Sequence, residues 1–365
     1  MKVSYIDYKK IKAFMKEGFI KAGVPKEDAE ISAEVLITSD LRGIDSHGVG
    51  RFKMYIDRIK DGIQLPVTNW KIIKETPTTL LVDGGNGMGH VVSYHVMELI
   101  IEKAKKYGMG SAAITNSTHF GIDGYYPLMA VKEDMVGFAF TNARPSIAPT
   151  FGVEPMIGTN PISMAAPTDE DCPFCIDGAT SISQRGKIEQ LEREEKETPE
   201  GWAIDENGKP YTNTSKLLID LVKRKAALLP LGGVGEILGG HKGYGLAVMV
   251  EILSSAFAGG PFGKSLLGYD EKGNKIPYGL GHFFMVINIE NFIPVDVFKR
   301  TTGEIVRTLR NSKKAPGHNR IYVAGEKECD KIRERKEKGI PINENLKIIL
   351  KGLKGDLGIS VDLGI

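Results

Sequence analysis

The sequence predicts a mixed α/β fold of the α+β kind, and three observations lead to it. Both ends of the chain carry helical periodicity, and the middle carries short apolar runs that are typical of strands. The glycine-rich turns lack the spacing that a dinucleotide-binding parallel sheet requires. With 365 residues, the chain can bury a large core and form about two domains.

The first part of the chain predicts helices. DYKKIKAFMKEGFIKAGV ends at Gly23 and places four apolar side chains on one face: Ile11, Phe14, Met15 and Phe19. PKEDAEISAEVLITSDLRG begins with proline and acidic residues, as helix starts often do, and carries an apolar stripe with Ile31, Val35 and Leu36. RFKMYIDRIKDG has the same periodicity.

The pattern changes near residue 70. WKIIKETPTTLLVDGG predicts two short strands, and VVSYHVMELIIEKAKKYG predicts an amphipathic helix that Gly108 ends. The runs GSAAITN, MVGFAFTN, PISMAAPT and HFFMVINIENF predict strands. The charged segment 185–213 predicts an exposed loop or a short helix. HKGYGLAVMVEILSSAF predicts a buried helix, and the tail from GEKECDK onward returns to helix.

Composition narrows the functional classes. A net charge of +2 gives no field that would favour nucleic acid or a membrane surface as a partner. The N-terminus lacks the apolar core of a signal peptide, and Glu251 interrupts the longest apolar run, so we expect a cytoplasmic protein without a membrane span. Abundant Lys, Glu and Ile are typical of thermophilic proteins.

Three cysteines fit that compartment. Cys172 and Cys175 form a single CxxC, and Cys329 lies far away in the sequence. A structural zinc site needs further ligands at matching spacing, and the sequence has none. The prediction is three structural thiols, with a Cys172–Cys175 disulfide as the alternative.

The turn VDGGNGMGH lies between a predicted strand and a predicted helix, where a Rossmann fold would bind pyrophosphate. Its glycines are Gly84, Gly85, Gly87 and Gly89, which do not have the G-x-G-x-x-G spacing, and no acidic residue follows at the expected distance. These glycines are therefore predicted to serve tight turns and close packing. A dinucleotide would have to bind outside any Rossmann unit.

Three histidines stand in glycine-rich polar turns. His47 lies in LRGIDSHGVGRF with Arg51 four residues later, His119 lies in TNSTHFGIDGYY, and His241 precedes Lys242. Reduction of a 2-oxo acid needs this chemistry, because arginine binds a carboxylate through two donors and histidine gives a proton to the carbonyl oxygen. Asp45 and Ser46 are expected to orient neighbours or to cap the next helix.

Two alternatives use the same side chains. A metal-dependent hydrolase or lyase could use His47, His119 and an aspartate as ligands, although no motif such as HExxH is present. A serine hydrolase could use Ser46 with His47, although the G-x-S-x-G turn is missing.

The chain resembles the malate/L-lactate dehydrogenase family, which is unrelated in fold to the Rossmann-type enzymes of the same names. Nine segments carry the resemblance in the right order: LRGIDSHGVGRF, VDGGNGMGH, NSTHFGIDGYY, TNARPSIAPTFG, EPMIGTNPISMAAP, IDGATSISQRGK, LPLGG, GGHKGYGLAVMVEIL and VAGEKE. It is most similar to the archaeal malate dehydrogenases of the family. Other members act on lactate, sulfolactate, cyclic imino acids, diketogulonate or ureidoglycolate.

The resemblance implies a homodimer that acts on a small 2-oxo acid with NAD or NADP as cofactor. It further implies a largely antiparallel, non-Rossmann sheet domain for the nicotinamide cofactor, expected over residues 73–319. A helical substrate and dimer domain would combine residues 1–72 with 320–365.

The resemblance also assigns site residues. His119 is the expected proton-transfer residue with His47 as the alternative, and Arg51 is expected to bind the substrate. The expected cofactor-binding residues are Asp177, Gly178, Ala179, Thr180, Ser181, Ser183, His241, Lys242, Ala324, Gly325 and Glu326. The expected substrate-binding residues are Arg51, Asn142, Arg144, Thr159 and Asn160.

Two departures from the family pattern bear on specificity. Gln184 and Arg185 stand where small or apolar residues are expected. An arginine near the cofactor favours a 2′-phosphate, hence NADPH, and the alternative is that this side chain points to solvent. Asp123 stands where relatives often have alanine, which changes the local polarity.

Overall fold

The computed structural model of the protein describes residues 3–365. Within that range the helices are α1 Tyr8–Lys21, α2 Lys26–Leu41, α3 Phe52–Lys60, α4 Gly89–Tyr107, α5 Tyr125–Val131, α6 Arg185–Arg193, α7 Thr214–Lys223, α8 Gly240–Ser255, α9 Val295–Arg310, α10 Glu326–Lys338 and α11 Glu344–Leu357. The strands are β1 Val3–Ile6, β2 Lys71–Glu75, β3 Thr79–Asp83, β4 Met109–Ser117, β5 Met135–Thr141, β6 Ile162–Ala166, β7 Phe174–Gly178, β8 Ala203–Asp205, β9 Ala226–Leu228, β10 Leu280–Asn288 and β11 Ile340–Asn343.

The largest sheet has the strand order β2-β3-β4-β10-β5-β6-β7. Its neighbours β3 and β4 run parallel, and the other neighbouring pairs of this sheet are antiparallel. A Rossmann domain is built on a parallel sheet with helices on both faces. The expectation of a mixed, non-Rossmann fold with a largely antiparallel sheet is therefore confirmed.

The two ends of the chain meet in a second small sheet. Strand β1 pairs antiparallel with β11, so that Ile6 lies opposite Ile340. Around it the terminal helices enclose one apolar core, which includes Ile11, Phe14, Phe19, Phe52, Tyr55, Leu350 and Leu353. The domain boundaries expected at 72/73 and 319/320 remain a prediction, and the first of them falls inside β2.

Local sequence explains where the key helices begin and end. The carboxylate of Asp7 caps α1 by accepting the backbone N–H groups of Lys9 and Lys10. Helix α4 ends at Gly108, which adopts a φ of 87° that side chains rarely tolerate. Helix α4 crosses from β3 to the parallel β4 and packs on the large sheet, where Val96 and Ile100 are fully buried.

The glycine turn before α4 is filled by the protein's own backbone. A Cβ atom on Gly89 would lie 2.2 Å from the carbonyl oxygen of Thr118, and one on Gly87 would lie 2.7 Å from the Cα of Thr68. These contacts agree with a packing role for the glycines. They also bring the start of α4 against the turn that carries His119.

Several sequence predictions need correction. Strand β1 lies in a segment predicted as helical, and segment 185–213 contains strand β8 besides the short helix α6. Helix α8 is not buried on every side, because Leu246, Met249 and Ile252 are 40%, 39% and 53% exposed. A hydrophobic helix can face solvent or another subunit, and the sequence pattern does not distinguish these from a core.

The cysteine prediction was also wrong. Cys172 is disulfide-bonded to Cys329 and not to its neighbour in the CxxC, while Cys175 is a buried free thiol. The bond ties the start of β7 to α10 across 157 residues of sequence. Within residues 3–365, no helix is long and apolar enough to cross a membrane.

Candidate active site

The segment LRGIDSHGVGRF forms a turn between α2 and α3. The buried carboxylate of Asp40, in the last turn of α2, accepts the backbone N–H of Val49 at 2.8 Å. Gly48 packs so closely that a Cβ atom there would lie 1.9 Å from Oδ1 of Asp40. Burial raises the pKa of Asp40 well above its ordinary value. The glycine at position 48 thus permits the contact that fixes the turn.

Contacts from both ends of the chain hold the polar residues of this turn. Arg335 in α10 donates to the carboxylate of Asp45, with 3.0 Å between Nη2 and Oδ2. The Ser46 hydroxyl lies 2.8 Å from Nδ1 of His47, and the Ser46 carbonyl accepts Nε–H of Arg51 at 2.7 Å. These contacts agree with orienting roles for Asp45 and Ser46.

The structure brings His47 and His119 together. Their rings stack with centroids 5.6 Å apart and planes inclined by 16°. Burial and the charge of Arg51 lower the pKa of His47 to about 4. Burial, with the charges of His47, Arg58, His90 and Arg51, holds the pKa of His119 well below its ordinary value. Both rings are therefore neutral in the free protein near pH 7.

Hydrogen bonds to His119 define which ring nitrogen carries the proton. The backbone N–H of Gly121 points at Nδ1 from 3.2 Å, and the hydroxyl of Tyr55 lies 2.6 Å from the same atom. A backbone N–H can only donate, so Nδ1 of the neutral ring is an acceptor and the proton is assigned to Nε2. Tyr55 consequently donates its hydroxyl proton to Nδ1. Nε2 is the atom of His119 that can donate.

Tyr55 and His90 were not identified from the sequence. Both are fully buried, and Nε2 of His90 lies 3.1 Å from the Tyr55 hydroxyl oxygen. Because that hydroxyl donates to His119, its oxygen accepts from His90. Tyr55 follows Arg51 by four residues, a helical spacing that could have indicated it. No comparable signal marks His90, whose segment was assigned to a packing turn.

The predicted substrate-binding asparagines are engaged within the protein. The side-chain oxygen of Asn142 accepts the backbone N–H of Gly281 at 2.9 Å. Asn160 accepts the N–H of Ala143 and donates to Glu251, with distances of 3.1 and 2.6 Å. Their contacts order the loops around them, and direct binding of substrate stays a prediction. Of the other two expected substrate residues, Arg144 is exposed and Thr159 half-buried.

The segments predicted to bind cofactor lie side by side, at the end of β7, at the start of α8 and before α10. The backbone N–H of Leu231 donates to the carbonyl of Thr180 at 2.9 Å, which joins the first segment to the glycine-rich loop before α8. The N–H of Cys175 donates to the carbonyl of Ala324 at 3.2 Å, which joins β7 to the third segment. These two bonds connect the three segments, which together are called the predicted cofactor surface.

The individual residues of this surface differ in exposure. Gly178, His241 and Lys242 are exposed, Asp177 and Ala179 are half-buried, and Thr180, Ser181, Ser183 and Glu326 are buried. A Cβ atom on Gly325 would lie 2.7 Å from the carbonyl oxygen of Pro173, so that position needs glycine. The carboxylate of Glu326 accepts a hydrogen bond from Nη1 of Arg310, with 2.6 Å between Nη1 and Oε1.

The donor set at the start of α8 fits a dinucleotide. Lys242 lies in the first helical turn and makes no ion pair within residues 3–365. The first backbone N–H groups of α8 already donate to the carbonyls of Gly235 and Gly239. The ammonium of Lys242 is therefore the group here that can neutralise a phosphate, and the start of the helix favours negative charge. The exposed Val234, Ile237 and Leu238 in the preceding loop offer apolar contact.

Helix α6 connects the cofactor surface to the histidine turn. A Cβ atom on Gly186 would lie 3.2 Å from Nη2 of Arg51 and 3.3 Å from Cβ of Ser46. Glu189, one turn later, approaches Arg51 to 4.0 Å and accepts Nε–H of Arg185 at 2.9 Å. The segment after Ser183 therefore lies against the side chain of Arg51, which is expected to bind the substrate carboxylate.

The described part of the chain, residues 3–365, contains no group of three or more His, Cys, Asp or Glu side chains that could hold a metal ion. The sequence alternative with His47 and His119 as metal ligands therefore lacks a third ligand in that range. The two histidines stack with their ring planes nearly parallel.

The structure thus combines a non-Rossmann sheet with a cluster of histidine, tyrosine and arginine side chains whose chemistry suits acid–base catalysis. The family model described as malate/L-lactate dehydrogenase matches residues 6–350. A malate dehydrogenase of Pyrococcus abyssi is 45% identical over 347 residues, which cover 95% of this chain and 93% of the relative. The chain belongs to the malate/L-lactate dehydrogenase family and is an oxidoreductase.

Solved structures agree with that assignment. A crystal structure of malate dehydrogenase from Entamoeba histolytica superposes with a TM-score of 0.96 at 45% identity, covering 100% of both chains. A sulfolactate dehydrogenase from Methanocaldococcus jannaschii gives a TM-score of 0.85 at 39% identity, covering 98% of both chains. The matches span nearly the whole length of the chain, from the first helices to the last.

Proposed function

We propose that the protein transfers hydride between a nicotinamide dinucleotide and a small 2-oxo acid, and that its principal reaction interconverts oxaloacetate and malate. The observation that carries the proposal is the pair of hydrogen-bond contacts to Nδ1 of His119, which leave Nε2 as the donor nitrogen, in a family of 2-hydroxy acid dehydrogenases. The relatives named malate dehydrogenase support malate as the substrate. Lactate, sulfolactate and cyclic imino acids are the alternatives within the family.

The chain's own residues would divide the work as follows. The bound nicotinamide supplies or accepts the hydride. Arg51 binds the carboxylate beside the reacting carbon through its guanidinium, whose Nε already faces the Ser46 carbonyl. His119 donates a hydrogen bond from Nε2 to the oxo group. The negative charges of the bound substrate favour the imidazolium form of His119, which would give its Nε2 proton to that oxygen as the hydride reaches the carbon and so return to the neutral ring. His47 stacks on His119 and limits its rotation.

Replacing His119 with alanine tests the proton role. General acid–base catalysis typically contributes about 10²–10⁴-fold, and we expect turnover to fall by roughly that factor while cofactor affinity is retained. His47→Ala is the matched control, with a smaller expected loss. Turnover is measured across pH for each variant, and cofactor affinity is measured by fluorescence titration. A His119→Ala enzyme with normal turnover and pH profile would contradict the proposal.

We infer that NADPH is preferred over NADH. Arg185 is exposed, and Glu189 engages only its Nε, so both terminal nitrogens can bind a 2′-phosphate. Arg185→Ala should lower kcat/KM with NADPH about tenfold, equivalent to roughly 1.4 kcal/mol, and leave NADH unaffected. Equal kcat/KM values for the two cofactors in both proteins would refute this preference.

We propose a homodimer in the cytoplasm, with the exposed apolar face of α8 in the interface. Leu246, Met249 and Ile252 recur every three residues and form one side of the helix. Sedimentation of the active enzyme tests assembly, and a fully active monomer at assay concentration would exclude the dimer.

The competing class is a metal-dependent hydrolase or lyase. A panel of oxaloacetate, pyruvate, sulfopyruvate and a cyclic imine, each with NADH and NADPH, distinguishes the classes by absorbance at the nicotinamide band. Absence of any absorbance change, together with activity that chelators abolish, would favour the competing class.

A further inference from the structure

The disulfide bond between Cys172 and Cys329 has no role in the reaction described so far. It joins the segment just before β7, in the large sheet, to the first turn of α10. Both cysteines are half-buried, and they lie in the wall of an open cavity of about 220 Å³ together with Arg310, Arg320 and Arg333. The bond is therefore within reach of small thiols from the solvent.

The surroundings of the bond favour exchange with an external thiol. In thiol–disulfide exchange a thiolate attacks one sulfur, and the other sulfur leaves as a thiolate, faster when its own pKa is low. Cys329 lies near the N-terminus of α10, where the helix favours negative charge. Arg333 follows one helical turn later on the same face of α10. The sulfur of Cys329 is thus the better leaving group, and that of Cys172 is the one to be attacked.

The bond lies against the segment 324–326 of the predicted cofactor surface. Sγ of Cys172 is 3.4 Å from the carbonyl oxygen of Gly325, and Cys329 follows that segment by three residues. The disulfide is a covalent link that keeps the segment on β7, beside the backbone hydrogen bond from Cys175 to Ala324. Opening the bond would therefore loosen a segment that is expected to contact the cofactor.

Helix α10 also connects the bond to the histidine turn. Arg335 lies six residues beyond Cys329, about 9 Å along the helix. It is 8% exposed and donates to the carbonyl of Asp40 and to the carboxylate of Asp45, with 3.0 Å between Nη2 and Oδ2 of the second pair. One helix thus carries the disulfide at its first turn and holds the turn that bears His47 near its last.

Ion pairs would keep the reduced protein together. Arg310 contacts Glu170, which precedes β7, at 2.6 Å and Glu326, at the start of α10, also at 2.6 Å. Arg333 approaches Asp171 to 3.9 Å. Partly exposed ion pairs of this kind contribute little free energy each. The reduced chain is therefore expected to stay folded, with α10 less firmly attached to the sheet.

We propose that Cys172 and Cys329 form a reversible thiol–disulfide exchange site, open to dithiol reductants, and that the oxidised state fixes α10 for cofactor binding. The effect on the cofactor rests on the proposed function, whereas the exchange itself does not. Dithiols would meet this bond in the compartment proposed above, where disulfides are commonly redox-sensing.

The exchange balances as a two-electron transfer. A thiolate of the dithiol attacks Sγ of Cys172, and the electron pair of the S–S bond leaves with Sγ of Cys329 as a thiolate. The second thiol of the reductant, once deprotonated, attacks the mixed disulfide and releases Cys172. The reductant ends as a disulfide, and the protein gains two electrons and two protons as a pair of thiols.

The first test counts reactive thiols in the folded protein. The oxidised chain has Cys175 as its free cysteine, and because Cys175 is buried, a thiol reagent should find none before unfolding. After treatment with dithiothreitol and its removal, the two cysteines of the bond should react without any unfolding agent, and oxidised dithiothreitol should restore the starting count. A bond that stays intact until the protein unfolds would overturn the exchange site.

The second test relates the bond to cofactor binding. Fluorescence titration with NADPH should show an affinity at least about fivefold weaker in the reduced protein, the lower end of typical coupling between sites. The double variant Cys172→Ser, Cys329→Ser should bind as weakly with or without dithiothreitol. Cys175→Ala, which leaves the disulfide in place, is the matched control and should respond to dithiothreitol as wild type does.

The failures of this proposal and of the proposed function are distinguishable. Equal NADPH affinity in the oxidised and reduced proteins would overturn control by the bond and leave a structural cross-link. A thiol count that changes reversibly in a protein that binds no nicotinamide would instead refute the proposed function and support the exchange site. Should the double variant fail to fold, the reduced wild-type protein provides the same comparison.

Discussion

Two regions of the molecule differ in how their side chains are held: the histidine corner, formed by His47, Tyr55, His90 and His119, and the predicted cofactor surface. At the corner, Tyr55, His90 and His119 are joined by hydrogen bonds inside the protein, and Tyr55 and His90 are fully buried. On the cofactor surface, Ile237 is 98% exposed and Leu238 81% exposed, and Lys242 carries a charge without an ion pair in the described chain.

The difference lies in how much each region depends on groups outside the chain. The side chains of the histidine corner are held by hydrogen bonds and close contacts within the chain and need no ligand to be in place. The cofactor surface presents apolar side chains and a cation that only a ligand or another subunit can cover. Substitutions in the two regions should therefore have different consequences.

The largest contrast should come from two glycines. Gly89→Ala would place a Cβ 2.2 Å from the Thr118 carbonyl, and we expect a loss of about 3 kcal/mol or more in the free energy of unfolding. Gly245→Ala, in α8, meets no atom within 4 Å and should add up to about 1 kcal/mol. Denaturant titration measures both. Similar effects for the two variants would remove the distinction between the regions.

A smaller effect is expected from Tyr55→Phe. The substitution leaves Nε2 of His90 unpaired and removes the donor to Nδ1 of His119, so stability should fall by about 1–3 kcal/mol. The lost donor favoured the neutral ring, and without it the pKa of His119 should rise. In hydroxy-acid oxidation, where the neutral ring accepts the proton, the acidic limb of the pH–turnover profile should therefore move to higher pH.

A purely structural role of Tyr55 would leave that profile in place. Tyr94→Phe, a partly exposed tyrosine in α4, is the matched control and should shift neither stability nor the pH profile appreciably. Oxo-acid KM values are expected to stay near wild type in both variants, because neither hydroxyl is assigned to substrate binding.

The smallest predicted change is a gain in stability from Asp123→Asn. Asp123 is 3% exposed, and the hydroxyl of Ser163 is the neighbour that favours its charged form. Burial and the charge of Asp177 raise the pKa of this carboxyl well above its ordinary value. The unfolded chain ionises freely above pH 3.8, whereas the folded chain does not, so the aspartate increasingly destabilises the fold as pH rises.

Asp123→Asn should consequently raise the free energy of unfolding by about 1–3 kcal/mol at pH 7, with little gain near pH 4. Thermal unfolding at both pH values provides the measurement. An asparagine variant that is less stable than wild type at pH 7 would contradict the prediction and show that the hydrogen bond from Ser163 outweighs the cost of burying the charge.

Local patterns were enough to predict much of the fold. The apolar stripe with Phe14 and Phe19 predicted α1, and the left-handed cap at Gly108 ended α4 where expected. The failed glycine spacing correctly excluded a Rossmann sheet. These features depend on residues a few positions apart, where periodicity and turn chemistry act directly.

The sequence also identified the elements of the histidine corner, since His47, Arg51 and His119 stand in polar glycine-rich turns that packing alone does not require. The sequence did not determine how these three side chains are arranged relative to one another. Stacking of His47 on His119 depends on how α2 packs beside the end of β4, a contact between residues 72 positions apart in the sequence.

Contacts between segments that are distant in sequence were decided only by the tertiary structure. Tyr55 meets His119 across 64 residues, Arg335 reaches Asp45 across 290, and Cys172 bonds Cys329 across 157. Arg58 and Arg144 share the ring of Tyr278 only because α3, β5 and the loop before β10 converge. The sequence by itself determined the elements, the candidate catalytic turns and the family pattern, because those are local. The proton position on His119 and the placement of two arginines on one tyrosine ring follow from long-range packing, which no local pattern encodes.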